Sequence, residues 1–527
     1  MNQGYLAMVL HAHLPYVRHP EHERFLEEDW LFEAITETYL PMLDVMLGWE
    51  ADGVPWRLTM SLTPPLASML RDELLRARYL EHLERLSELV DKELVRTTFH
   101  AHLRYLAGHY REQIDRALGL WRRYDGDLVR AFAELQGTGR LEVLTCGATH
   151  GYLPLMQVHP EAVWAQIKVA ADHYQSCFGR GPRGIWLPEC GAYPGVDALL
   201  RDAGIRLCVI DSHGMLNATP RPIHGTYAPL FYPGSGVAAF ARDKESSIQV
   251  WSADHGYPGD FTYREFYRDV GYDLDYDYVA PYVQPTGARK NTGIKYHRIT
   301  GKTKHKELYD PYWAREKASE HAGNFMFNRE RQVEHLHGML GRPPIVVSPY
   351  DAELFGHWWY EGPWWLDYVV RKSCFDQRVY KVTHLVEYLF EQPTQQVAEP
   401  AQSSWGDKGY HEFWLNDTNE WIYPHLHKAA ERMIGLARDI VNADGLYRRA
   451  LNQAARELLL AQSSDWAFIM KTGTMVEYAV RRTVSHLRRF TRLHDEIRSG
   501  RIDQTWLTRV EYIDNSFPEI DYNVYRP

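Results

Sequence analysis

Two acidic residues stand in settings suited to bond-breaking chemistry. Glu189 lies in Trp-Leu-Pro-Glu-Cys (186–190) and Asp351 in Ser-Pro-Tyr-Asp-Ala-Glu (348–353). Each follows a short apolar run through a proline-containing turn, with Trp and Tyr nearby. Two carboxyls on different strands suit cleavage of a glycosidic bond with retention: one attacks the anomeric carbon, and the other, about 5–5.5 Å away, donates and recovers a proton. Taken singly, either residue reads equally well as a helix cap or a surface acid. A second cluster, His11-Ala-His13, joins Asp residues at other strand ends in offering imidazole and carboxylate donors for zinc. That reading leads to a metal-dependent deacetylase or mannosidase. It ranks lower because the two imidazoles are expected on opposite sides of an extended segment, one toward a cleft and one toward packing.

These residues must be positioned by something. Seven short apolar runs recur between helical stretches, at 5–10, 56–62, 141–146, 184–187, 206–210, 248–251 and 345–348. Their continuous apolar character predicts strands buried on both faces, hence a parallel sheet covered by helices. Seven such units predict an α/β fold, a (β/α)7 barrel, and catalytic side chains in a parallel β/α barrel come from the carboxyl ends of the strands. Six of the seven runs end in His, Asp or Glu together with aromatics: His11 to Tyr16, His150 to Tyr152, Glu189, Asp211 to His213, Asp254 to Tyr257, and Asp351 to Trp359. No glycine-rich phosphate loop follows any of them, so nucleotide binding is unsupported.

The chain has 527 residues, too many for one ordinary core. A charged, helical stretch at about 66–135 predicts a helical insertion. An irregular stretch at about 267–311, first acidic and Tyr-rich and then basic, predicts a lid-like loop over one barrel face. The barrel unit is expected to span 1–390 and an all-α C-terminal domain 391–527, with three amphipathic helices between 433 and 490. A net charge of −10 leaves no electrostatic footprint for nucleic acid or an anionic membrane. Five scattered cysteines without CxxC spacing point to a reducing compartment. No apolar run approaches membrane-spanning length and no leader-like segment opens the chain, so a cytoplasmic location is expected. The 17 Trp and 34 Tyr, many in polar turn-like stretches, suit flat amphipathic ligands such as sugars.

Five segments in order, HAHLPYV, GATHGYLP, WLPECGAYPG, VWSADHGYPGDFTYREF and SPYDAELFGHWWYEGPWWL, resemble the signatures of glycoside hydrolase family 57, and within it the 1,4-α-glucan branching enzymes. The likeness extends through SSWGDKGYHEFWLN (403–416) and ARELLLAQSSDWAFIM (455–470). The resemblance implies the same barrel, helical insertion and helical C-terminal domain. It places the nucleophile on Glu189 and the acid/base on Asp351. It places substrate contacts on Arg242, Gly259, Trp405 and Asp465, and a glucan cleft lined by His11, His150, Trp251, Trp358 and Trp414. It implies an α-glucan substrate and no metal or cofactor. Branching enzymes of the family carry a loop with a Tyr at its tip. Here the matching stretch, 211–241, is compact and offers Tyr227 or Tyr232. That departure leaves hydrolysis and 4-α-glucan transfer beside branching, and non-catalytic glucan binding is a further alternative.

Overall fold

The computed structural model describes residues 2–252, 256–284 and 286–526. Asp254 and His255, expected at a strand end, lie outside the described residues.

Seven parallel strands form the centre: β1 (Gly4–Ala12), β2 (Leu58–Leu62), β3 (Leu141–Leu144), β4 (Gly184–Trp186), β5 (Leu207–Ile210), β6 (Ala238–Ala241) and β7 (Ile345–Asp351). Nearly every residue in them is buried, as strands covered by helices require. β1 pairs with β2 and β7, β2 with β3, β4 with β5, and β5 with β6. β3 meets β4 at a Thr145–Ile185 bridge. The Asp243 N–H donates to the Val347 carbonyl (2.8 Å) and joins the end of β6 to β7. The neighbours therefore run around a ring from β1 to β7 and back, and the register sets His11 level with both Ser61 and Asp351.

The sixth strand differs from expectation. Residues 248–251 belong to the helix Lys244–Trp251, whose N-cap Asp243 accepts a hydrogen bond from the Ser246 amide. Ser246, Ser247 and Val250 are buried while Ile248 and Trp251 face outward, a helical rather than a strand period. The strand is Ala-Ala-Phe-Ala, and a search for β-branched apolar runs passes over alanines. The correction places Arg242 and Asp243 at a barrel strand's carboxyl end.

Between β2 and β3 stand the helices Pro64–Arg71, Glu73–Arg96, Ala101–Arg123 and Leu128–Gly137. The second starts at Asp72, whose side chain accepts from the Leu75 amide, and buries Leu75, Tyr79, Leu83, Leu86 and Val90 along one stripe. The 267–311 stretch is fastened to this helix. Tyr282 donates to Glu88, while Tyr278 and Tyr296 donate to the two oxygens of buried Glu93 (2.8 Å each). Asp269 ties the stretch together by accepting from the amides of Gly271, Thr292 and Gly293. Of the tyrosines in this stretch, Tyr278, Tyr282 and Tyr296 are anchors with satisfied hydroxyls, while Tyr267, Tyr272 and Tyr276 are exposed.

Beyond residue 420 the helices Ile422–Asp439, Gly445–Ala461, Ser464–Thr472, Val476–Ser499 and Gln504–Ile513 bury a continuous apolar seam that includes Met433, Leu451, Leu458 and Phe490. The five cysteines are free thiols.

Gly184 opens β4 where a Cβ would collide with Leu207 and Leu144. Gly184→Ala is expected to destabilise the fold by about 1–3 kcal/mol through overpacking, read as a lower urea midpoint with unchanged slope.

Candidate active site

Glu189 follows β4 in a left-handed backbone conformation (φ 61°), and Cys190 after it does too (φ 51°). Non-glycine residues adopt that region at a cost, and such strain gathers where a side chain must be aimed. Trp405 holds Glu189 at both ends. Its indole N–H donates to Oε2 (2.7 Å), and its backbone amide donates to the Glu189 carbonyl (3.0 Å).

The other oxygen, Oε1, accepts from Ser464 Oγ (3.3 Å). That direction fixes a chain of donors behind it. Ser464 receives from His150 Nδ1 (2.8 Å), which leaves His150 Nε2 to accept from His11 Nε2 (3.1 Å) and His11 Nδ1 to accept from Ser61 Oγ (3.0 Å). Both imidazoles are neutral in this arrangement. Burial pushes each well below the usual imidazole range, and the neighbouring histidines push the same way for His11. Four side chains thus donate in series toward one carboxylate, each polarising the next. Trp186 stacks on His11 (4.7 Å) and fixes its plane.

His13 belongs to the site as well. It was expected to turn toward packing, but residues i and i+2 of a strand share a face, and the His11 and His13 rings lie stacked 5.7 Å apart. His13 Nε2 pairs with Asp465 (3.0 Å), and Nδ1 meets Thr63 Oγ1 (3.0 Å). Burial disfavours its charged form, yet the charge and hydrogen bond of Asp465 outweigh that and raise His13. Conversely, burial would raise Asp465, and His13 holds it at about 2. His13, His150 and Asp465 are close enough to suggest a metal site. The two rings are stacked, however, with centroids 3.8 Å apart and planes 13° apart. Their nitrogen lone pairs therefore run nearly parallel instead of converging on one ion, which needs bonds of about 2.0–2.1 Å.

Asp351 closes β7 beside His11. Among the described residues no donor reaches its carboxyl. Burial, reinforced by the charges of Glu353 and then Glu189, pushes it well above the carboxylate range, with Arg242 opposing. Burial also raises Glu189, but Trp405, His13 and Ser464 restrain it near 7. Burial raises both carboxyls at this mouth, and among the described residues only Glu189 accepts hydrogen bonds that oppose it. Glu353 accepts from the His13 amide (3.1 Å) and from the Tyr39 hydroxyl (2.5 Å). Arg242 pairs with Asp211 (2.8 Å) and lies 5.9 Å from the Trp405 ring.

Trp251 and Trp358 form an exposed edge-to-face pair (5.9 Å). Gly259 ends the turn Tyr257–Gly259, whose Tyr257 donates to Asn324. No contact among the described residues joins that turn to the carboxyl pair. Trp414 does not line the cleft: it is 1% exposed, with one face stacked on Tyr152 (4.3 Å). Tyr227 is half-buried: its carbonyl accepts from the Ile345 amide at the amino end of β7, its hydroxyl donates to Asp243 (3.4 Å) just past β6, and among the described residues it makes no hydrogen bond to either carboxyl of the pair. Tyr232 is buried beside β6. Among the missed residues, His13 was legible from strand periodicity and Ser464 from its place beside Asp465. Tyr39 and Thr63 left no sequence signal.

Two buried carboxyls at the carboxyl ends of strands in a parallel barrel, one hydrogen-bonded and the other bare among the described residues, suit an enzyme acting on sugars. The family model of glycosyl hydrolase family 57 matches residues 7–335, and the chain belongs to that family. A second model, the C-terminal region of 1,4-alpha-glucan branching enzymes, matches residues 425–525. The chain is 35% identical, over 99% of its length and 78% of the relative's, to a 1,4-alpha-glucan branching enzyme of Thermococcus kodakarensis. The crystal structure of that organism's GH57 branching enzyme, in complex with glucose and additives, superposes with a TM-score of 0.89 at 35% identity, covering 100% of this chain and 97% of that one. The structure of the alpha-amylase AmyC from Thermotoga maritima superposes at 0.94 with 47% identity, covering 100% and 99%.

Trp405→Phe removes one charge-assisted hydrogen bond from Glu189, a loss of roughly 1.5–3 kcal/mol. Glu189 then ionises at higher pH. The acidic limb of the kcat/KM profile is expected to move upward from near 7, with kcat/KM down by roughly 10–100-fold.

Proposed function

We infer that the chain is a 1,4-α-glucan branching enzyme that works by double displacement. The observation carrying this is the unequal pair: among the described residues two donors, Trp405 and Ser464, reach the Glu189 carboxylate and none reaches that of Asp351. Ionised Glu189 attacks the anomeric carbon of an α-1,4-linked glucosyl unit. Protonated Asp351 gives its proton to the departing O4, and the reducing-end part of the chain leaves. The glucan remains as a covalent ester on Glu189. Asp351, now ionised, takes the proton from the 6-hydroxyl of an acceptor glucan, which attacks the same carbon and forms an α-1,6 branch with net retention. His11 and His150 act through Ser464 on Glu189, while Arg242, Trp405 and Asp465 fix the sugar-facing walls. Trp251, Trp358 and the Gly259 turn are placed along the outer cleft. The physiological role we propose is glycogen-type glucan synthesis in the cytoplasm. Among the described residues no helix is long and apolar enough to cross a membrane.

One observation favours a second outcome of the same intermediate. Neither Tyr227 nor Tyr232 hydrogen-bonds the carboxyl pair among the described residues, and hydrolysis is then expected to accompany transfer. Incubation with amylose separates the two. Falling iodine colour with new α-1,6 linkages marks branching, and new reducing ends mark hydrolysis. Shuffled linear chains with no α-1,6 linkage would overturn the assignment.

The two carboxyl roles are separable by rescue. Asp351→Asn should lower turnover about 10²–10⁴-fold. With azide and an activated α-glucoside, Glu189→Ala should yield the β-glucosyl azide and Asp351→Ala the α-anomer. The same anomer from both variants would contradict the roles.

A further inference from the structure

A cavity of about 340 Å³ lies away from the carboxyl pair, between the helix pair Glu28–Ala34 and Leu40–Ala51, the helix Ala101–Arg123 and the helix Gly362–Phe375. Small-molecule pockets begin at about this size. A π-helical turn, Ile35–Tyr39, links the first two helices. On one face of this run Glu33, Glu37, Asp44 and Val45 line the cavity. On the other, Tyr39 reaches Glu353 at the catalytic mouth. The two sites therefore stand back to back across one helical wall.

The lining defines its ligand. Trp364 and Tyr368, one turn apart and partly buried, stand beside Tyr360, with Arg315 over one face of Trp364 (4.5 Å) and Arg264 over one face of Tyr360 (3.8 Å). A fixed polar set faces them: His109 Nε2 meets the Tyr360 hydroxyl (2.8 Å), which donates to Gln113 (2.5 Å). Burial, aided by nearby arginines, pushes His109 down to about 3, so it is neutral. Three of the four guanidinium groups are matched to acids: Arg116 with Asp44 (3.2 Å), Arg371 with Asp367 (2.7 Å) and Arg264 near Glu37 (3.7 Å); the fourth, Arg315, makes no ion pair among the described residues and lies over the Trp364 ring. Glu33, Glu37, Asp44, Glu112 and Asp367 outnumber the four arginines of the lining, so no surplus of positive charge invites a phosphate. Glu33 makes no hydrogen bond or ion pair among the described residues, although burial and the charge of Glu37 raise it to about 8. Flat aromatic faces, neutral fixed dipoles and one spare carboxyl fit an uncharged polyhydroxylated ring.

We propose that this cavity is a second, non-catalytic carbohydrate site that holds the end of a linear α-glucan. The choice of α-glucan rests on the branching reading above. The carbohydrate class rests on the lining alone. A chain held there has its remainder at raised local concentration near the cleft, which improves apparent affinity for polymer without touching the chemistry.

Maltoheptaose titrated calorimetrically into full-length Glu189→Gln protein should fill two sites. Val45→Trp, which fills the cavity, and Trp364→Ala, which removes its aromatic shelf, should each reduce the count to one in that background, with a cooperative melt verifying the fold. With Glu189 restored, Val45→Trp should raise KM for amylose several-fold and leave kcat unchanged. A count of one in Glu189→Gln itself, or of two in a folded Val45→Trp variant, would overturn the proposal. Absence of α-1,6 product from amylose would instead strike the branching reading, and the stoichiometry would still decide the cavity.

Discussion

Removal of water from two carboxyl groups at the mouth of one barrel is the constraint on which the site depends. Burial alone would leave both protonated and the enzyme inert. The fold answers by sending Trp405 and Ser464 to the Glu189 carboxylate and, among the described residues, no donor to that of Asp351. The asymmetry matters more than the absolute acidity of either group, because it decides which of two similar side chains carries the charge.

That asymmetry is assembled from distant parts of the chain. Barrel strands and their loops supply Ser61, His11, His150 and Glu189. Trp405, Ser464 and Asp465 come from beyond residue 400. The helices after residue 420 therefore complete the catalytic centre as well as burying apolar surface. The strained turn at Glu189 and Cys190 is tolerable for the same reason: Trp405 grips that turn through both backbone and side chain.

Much of this was legible in the sequence. Continuous apolar runs predict parallel strands because such strands bury both faces, and six of the seven fall where expected. The sixth was hidden because alanines pack well in a crowded barrel wall but carry little β signal. Glu189 and Asp351 were readable from their positions after buried runs. His13 was misassigned only through the wrong side-chain period. Tyr227 and Trp414 were named through the family resemblance, whereas Trp414 is packing and Tyr227 bonds Asp243 and the Ile345 amide. The second cavity was not legible at all, since its walls come from segments hundreds of residues apart that show no pattern along the chain.

The bare carboxyl of Asp351 has one more consequence. Among the described residues no group satisfies it, so in the proposed mechanism the first hydrogen-bonding neighbour it meets is the oxygen of an arriving sugar. Its readiness to give up a proton is thus a property of the occupied complex, tuned by whichever hydroxyl or bridging oxygen docks there. Donor and acceptor glucans in this way each write part of the reactivity they encounter.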